Sequence, residues 1–471
     1  GFFGRLNYNY KEKYLLEVNG RYDGTSRFMK DQRWNFFPSF SLGWNVAREN
    51  FWKPLESVVN QFKLRGSWGE LGNQNTSNLY PFYEILPVKS NSGNWLVNGG
   101  KTNTADIPSL VSTLLTWERV RSFNVGFDFG AFSNRLTGSF DYFVRKTVDM
   151  VGPAPQLPLV LGIAPAIVNN ADMKSYGFEI ELSWRDRIGE VDYGVKFNLA
   201  DAQQKVVKYP NTTNAFSDWY AGKMSGEIWG YTSLGIAKTD EEMKEHLASL
   251  PNGGQNQLGN KWGAGDIMYA DINGDGKVDG GKGTLADPGD QRIIGNSTPR
   301  YNFGLVLDAS YKGFDVSIFF QGVGKRDYAP IVGTNGAVFW GAVNNIWQSM
   351  AMEEHFDYFR PEGHPMGANL NGYYPRPDFT SNKNHQVQTR YLQDASYIRL
   401  KNLQIGYTLP KQWINKLHIN RCRVYVSGDN LWTGTSLASM FDPETLAAGD
   451  WGSGKTYPLS KVISFGLNVN F

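Results

Sequence analysis

Apolar and polar residues alternate along most of this chain with the period of two that a half-apolar β-strand imposes. Tyr14, Leu16, Val18 and Tyr22 fall on one parity, and Glu17, Asn19, Arg21 and Asp23 on the other. The pattern recurs with Phe123, Val125, Phe127 and Phe129, with Phe178, Ile180, Leu182 and Trp184, and with Val191, Tyr193, Val195, Phe197 and Leu199. It continues through Tyr301, Phe303, Leu305, Leu307 and Tyr311, then Phe314, Val316, Ile318 and Phe320. Ile463, Phe465, Leu467, Val469 and Phe471 close the series. The whole chain therefore reads as all-β.

Such strands suit a soluble sandwich or propeller as well as a membrane barrel, and the aromatic residues tip the balance. The chain carries 15 Trp, 24 Tyr and 29 Phe, with Tyr10, Tyr14, Tyr22, Trp184, Tyr311 and Tyr407 near strand ends, where the interfacial girdles of an outer-membrane barrel belong. No apolar run approaches the roughly 18 residues of a membrane helix, but a barrel needs none. Lys plus Arg is 47 against 45 for Asp plus Glu, so the net charge of +2 gives no electrostatic case for nucleic acid. The single cysteine, Cys422, excludes an intrachain disulfide and any Cys-based metal cluster. Gly1-Phe2-Phe3 runs straight into strand-like sequence without a cleavable signal, so the chain reads as mature.

The connections give a second test, because such barrels have short turns on one side and long loops on the other. Short links are expected at Lys11 to Lys13, Ala131 to Asn134, Asp186 to Gly189 and Lys312-Gly313. Medium links with a helical turn are expected at 47–60 and 410–420, and long ones near 24–34, 72–115, 150–174, 201–298, 322–390 and 432–456. Sorting by side leaves 13 strands: 2–10, 14–23, 36–46, 61–70, 117–129, 135–146, 176–185, 190–200, 300–311, 314–321, 397–408, 421–431 and 460–471. The strand-like stretch Ile228 to Ile236 then falls inside a loop. Bacterial single-chain barrels are even-numbered, so an odd count implies the C-terminal portion of a larger barrel.

At this point the sequence resembles the SusC/RagA family of TonB-dependent outer-membrane transporters of Bacteroidetes-type bacteria. The matching stretches include Arg21-Tyr22-Asp23-Gly24-Thr25-Ser26-Arg27-Phe28, Leu64-Arg65-Gly66-Ser67-Trp68-Gly69 and Asn124-Val125-Gly126-Phe127-Asp128. Later come Tyr311-Lys312-Gly313-Phe314-Asp315, Tyr397-Ile398-Arg399-Leu400-Lys401-Asn402-Leu403, Asp429-Asn430-Leu431 and Asp442-Pro443-Glu444. The resemblance implies a transmembrane antiparallel β-barrel of 22 strands, of which these would be strands 10 to 22, with the plug and first strands outside this chain. It also implies a bacterial outer-membrane location, lipid around the barrel, energy coupling through TonB, and a SusD-like lipoprotein partner at the external face. On it the chain is expected to serve import of a nutrient, an oligosaccharide or oligopeptide. A receptor or adhesin that binds without import is the alternative.

Two motifs and one residue cluster bear on chemistry. Asp271, Asn273, Asp275 and Asp279 stand at positions 1, 3, 5 and 9 of a calcium-loop spacing, with Gly276 at 6 and Lys277 at 7, where such a loop uses a backbone carbonyl. Position 12 is Lys282 instead of Glu, and Asp290 or Asp287 is expected to supply the missing carboxylate; an ion-free Asp/Asn/Gly turn fits the same residues. Calcium is the one cofactor this spacing suggests. Gly449 to Thr456 has phosphate-loop spacing, but Pro458 and a terminal strand follow in place of the helix that such a site requires. The five histidines form no His-Glu-x-x-His, and Gly-x-Ser-x-Gly is absent, so nothing here supports a barrel hydrolase or another enzyme. The long aromatic-rich loop 322–396 offers Phe339, Trp340, Trp347, Tyr373 and Tyr374, and the 72–115 loop offers Trp95, as rings that stack on a sugar or peptide ligand; an internal core for the loop fits them equally.

Overall fold

The computed structural model describes residues 1–76, 79–154, 158, 160, 162–163, 165–330, 337–340, 351–378, 383–415, 418–446 and 456–471. Thirteen strands form one sheet in chain order, without a crossover. They are β1 (Phe2–Tyr10), β2 (Tyr14–Gly24), β3 (Trp34–Asn45), β4 (Val59–Asn73), β5 (Glu118–Ala131), β6 (Leu136–Gly152) and β7 (Val168–Ile188). There follow β8 (Val191–Lys208), β9 (Arg300–Tyr311), β10 (Phe314–Lys325), β11 (Tyr397–Thr408), β12 (Arg421–Thr435) and β13 (Val462–Asn470). All thirteen expected strands are present. β6, β7 and β8 extend well past their expected ends, because alternation marks only the part of a strand with one apolar face, whereas backbone pairing continues beyond it.

By internal contacts the chain divides into two compact units: Gly1–Ile180 with Ala202–Asn214 and Asp218–Met224, and Glu181–Asp201 with Ala215–Ser217 and Ser225–Phe471. In the first unit the register keeps apolar residues opposite one another across strands. Tyr14, Leu16 and Val18 of β2 pair with Tyr10, Tyr8 and Leu6 of β1 on one side and with Trp44, Leu42 and Phe40 of β3 on the other. Phe40 and Trp44 then meet Trp68 and Leu64 of β4, and those meet Phe123 and Phe127 of β5. One face is thus apolar from β1 to β5, and its residues are largely exposed: Leu42 by 63% and Phe40 by 46%. An aromatic row ends it at each margin. Tyr10, Tyr14 and Trp44 stack in sequence at one, and Phe2, Trp34 and Tyr22 at the other. Tyr14 and Tyr22 are separated by about 27 Å of strand at 3.4 Å per residue. A strand tilt of about 40° reduces that to ~20 Å of height, close to the apolar band of a membrane barrel.

The opposite face is polar and cross-linked. Arg5 donates to Asn19 at 2.7 Å, and Arg65 of β4 pairs with Asp128 of β5 and Asp141 of β6. A small core of Phe28, Phe37, Leu115 and Trp117 closes the loop end, where the Trp117 indole N–H donates to the Arg33 carbonyl at 2.9 Å.

In the second unit β8 to β13 continue the same alternation: Val195, Phe197 and Leu199 oppose Leu307, Leu305 and Phe303, and Val424 and Val426 oppose Leu467 and Phe465. The β9–β10 hairpin turns through Lys312 and Gly313, both with positive φ, the two-residue turn whose twist matches the strands. A Cβ at Gly313 would lie 2.8 Å from the Thr408 carbonyl, so glycine is required twice over. The stretch expected to lie inside a loop forms two short strands, Glu227–Gly230 and Ser233–Ile236, that pair with Arg292–Asn296 and Ile267–Tyr269 outside the main sheet. Helix α1 (Asp240–Ala248) follows, with Thr239 Oγ1 accepting from the Glu242 N–H at 3.1 Å and Met243 buried. The signal for it was the Thr239-x-x-Glu242 cap ahead of Met243.

Candidate functional site

The Asp/Asn/Gly loop of the second unit folds around its own carboxylates. Gly274 and Gly276 take positive φ, and their N–H groups donate to the two oxygens of Asp271 at 2.6 and 2.8 Å. Asn273 Oδ1 accepts from Asp275 N–H at 3.0 Å, and Asp275 Oδ1 from Lys277 N–H at 3.2 Å. Of the two carboxylates expected to complete the set, Asp290 is the one that bonds to this turn. It is fully buried, with Oδ1 accepting from the N–H groups of Ile272 and Asn273 and Oδ2 from that of Asp279 at 2.8 Å. The Lys277 ammonium pairs with Asp279, whose carboxyl is held below its usual range chiefly by that contact, while the Lys277 pKa is raised in turn.

The loop is therefore closed on its own backbone N–H groups, with Asp290 brought in from outside the motif. The fit to calcium is partial. Asp271, Asn273 and Asp275 bring side-chain oxygens to the turn, but each already accepts a backbone N–H, and Lys277 places a cation on the carboxylate of position 9. Among the described residues no three His, Cys, Asp or Glu side chains converge in a metal-holding group.

The aromatic candidates divide. Phe339, Trp340 and Tyr374 are buried, at 1%, 3% and 7% exposure, in a core that also holds Tyr231, Tyr269 and Tyr391. Phe339 lies 5.0 Å centre to centre from Trp340 and 5.4 Å from Tyr374, so its ring is packing for the loops themselves. Tyr373 joins this cluster and takes a hydrogen bond from Gln393 at 2.6 Å. Trp95, in the first unit, is 67% exposed, and Trp347 lies outside the described residues, as does the segment Gly449 to Lys455. Trp340 and Tyr374 also line a cavity of about 170 Å³ with Met352, His355, Arg376 and His385. His385 stacks on Trp340 at 4.3 Å, and burial drives its pKa down to about 4, so the imidazole is neutral at pH 7.

One group escaped the sequence reading because its partners are more than a hundred residues apart. Asp266, fully buried, accepts from Arg376 at 2.8 and 2.6 Å, from the Lys383 ammonium at 2.9 Å and from Asn384 at 2.9 Å. This joins the two long loops on either side of the β9–β10 hairpin. A second clamp holds the Asp442-Pro443-Glu444 stretch: Arg399 reaches Asp442 at 2.7 Å and Glu444 at 2.8 Å, and Lys401 reaches Glu444 at 2.6 Å.

A family model described as TonB dependent receptor-like, beta-barrel matches residues 1–431. TonB-dependent receptor P3 of Formosa agariphila is 30% identical over an alignment that covers all of this chain and 45% of that protein. TonB-dependent receptor SusC of Bacteroides thetaiotaomicron is 24% identical, with all of this chain and 43% of that one covered. Among solved structures, that of the RagAB peptide transporter superposes with a TM-score of 0.74 at 23% identity, covering all of this chain and 47% of the other, a likeness of fold. The chain thus spans about half the length of the relatives that it matches.

Proposed function

The chain belongs to the TonB-dependent receptor β-barrel family of the bacterial outer membrane, and from that premise we propose that the protein to which it belongs imports an oligosaccharide or oligopeptide across that membrane. Energy enters through TonB, and a SusD-like lipoprotein acts with it at the external face. The observation that carries this reading is that the likeness to a SusC receptor and to the RagAB peptide transporter covers the entire chain. The apolar face of the sheet supports it by meeting lipid, and the ion-paired polar face by lining the interior. No catalytic step is part of it.

The test is uptake by cells carrying the full-length protein, with and without TonB, using labelled oligosaccharides and oligopeptides. Import predicts accumulation that stops without TonB while surface binding persists. Binding with no TonB-dependent accumulation would turn the reading toward a receptor.

Calcium at the Asp271 loop is part of the same proposal, supported by the left-handed Gly274 and Gly276 and by the arrival of Asp290. Limited proteolysis on intact cells should cut near Gly280 to Gly283 faster with chelator present, and Asp275→Ala should reproduce that without chelator. Equal rates with and without calcium would leave a turn stabilised only by its own backbone bonds.

A further inference from the structure

The link between β3 and β4 does more than reverse the chain. Its turns, Val46–Arg48 and Asn50–Leu55, fold back onto the apolar face of the sheet. Trp52 stacks on Phe62 at 5.2 Å with the planes 1° apart, and Phe51 meets Trp44 edge-on at 6.4 Å. Trp44 pairs with Tyr14 and Leu64, and Phe62 with Phe129, all on the lipid-facing side. The segment is firmly held. Glu49 accepts from the Lys13 ammonium at 2.8 Å, the Tyr14 hydroxyl at 2.7 Å and the Trp44 indole at 3.2 Å, and the Trp52 indole donates to the Val59 carbonyl at 2.9 Å.

Despite this anchoring, Phe51 is 63% exposed, Leu55 51% and Val58 47%. Phe51 continues the aromatic margin of Tyr10, Tyr14 and Trp44 outward, and Leu55 and Val58 are exposed in the same link, on the side that carries the short turns and so faces the periplasm. Apolar side chains held rigidly open beside a lipid-facing surface match an element lying in the membrane interface. We propose that residues 46–58 form an in-plane foot, with Phe51, Leu55 and Val58 seated at the headgroup–acyl boundary of the phospholipid leaflet on the turn side, while Lys53 turns to the polar face beside Lys63 and Asp128.

Charge says how it binds. Residues 46–58 contain Arg48 and Lys53 against Glu49 and Glu56, so no net charge drives adsorption and apolar contact carries it. The second unit, taken alone, repeats the device: the link between β11 and β12 carries the short helix Lys411–Ile414 with Trp413 64% exposed. An exposed aromatic in a short helical turn is what both links share with an interfacial anchor.

The test uses the full-length protein in phospholipid vesicles, in a Cys422→Ser background, with a nitroxide at Leu55→Cys, at Val58→Cys or at Glu12→Cys as a turn control. Collisions with oxygen should dominate over those with a water-soluble nickel chelate at 55 and 58 and be reversed at 12. That result should persist from about 0.1 M to about 1 M salt. Water-like accessibility at 55 and 58 would overturn the proposal. Shielding from both reagents would do so too, since it would mean that a second copy or a periplasmic protein covers the patch. Loss of the oxygen preference at high salt would overturn the apolar basis.

Discussion

Glu49 holds its link through three donors, of which Lys13 matters most, and its carboxyl is drawn from the usual 4.5 down to about 2. A depressed folded pKa means stability that is complete above the unfolded value and lost as protons are forced on. The mobility of a nitroxide at Leu55 should therefore rise as pH falls from 4.5 toward 2, and Glu49→Gln should show the acid mobility already at neutral pH. Arg399 is the other residue on which much rests. Only 4% exposed, it forks between Asp442 and Glu444 and also donates to Thr433 at 2.8 Å. Arg399→Leu strands a buried Asp442 and should cost about 3–5 kcal/mol in equilibrium unfolding, with Arg399→Lys recovering part of it. These pairings give a physical meaning to stretches that the sequence showed only as a resemblance. Arg65 and Asp128 come from two separate matching stretches, as do Arg399 and Asp442, and each pair meets in space. Which arginine finds which acid was not legible, because register between distant strands has no local signature.

The strands themselves were legible because one face of each must be apolar throughout, and a slip by one residue would turn every such side chain to the wrong side. That constraint is directly testable. With a water-soluble thiol reagent in a Cys422→Ser background, cysteines at Leu16, Val18, Ile180 and Leu182 should stay unlabelled, whereas those at Asn19 and Glu181 should react. The opposite parity would refute the assignment. Ile180→Lys, at mid-strand, should cost about 2–4 kcal/mol of folding stability in lipid. The loops were less readable for the opposite reason: they bury residues on all sides. Phe339 and Trp340 looked like ligand-stacking rings because an aromatic in a long loop reads the same whether it faces a ligand or a core, and only the packing against Tyr374 and Tyr391 separates the two.

Across the whole molecule, the class, the strand number and the sides of the links followed from alternation and link length, while the buried ties between loops did not. The Asp266 group joins residues 110 to 118 apart, and Ile267 N–H donates to Asn384 Oδ1 at 3.0 Å across 117 residues. Those distances along the chain set an order of events during assembly. Closing so long a loop is entropically costly until its ends are already neighbours. The β9–β10 hairpin makes them so, since its two-residue turn zips up to bring Arg300 opposite Lys325, the points from which the two loops depart. Pulse-labelled hydrogen exchange during refolding should show amides of 300–325 protected before that of Ile267, and the reverse order would contradict this sequence. The hairpin is thus the kinetic gate of the outer loops: a substitution that slows its closure, such as Gly313→Val, should delay the maturation of a surface that contains none of its residues.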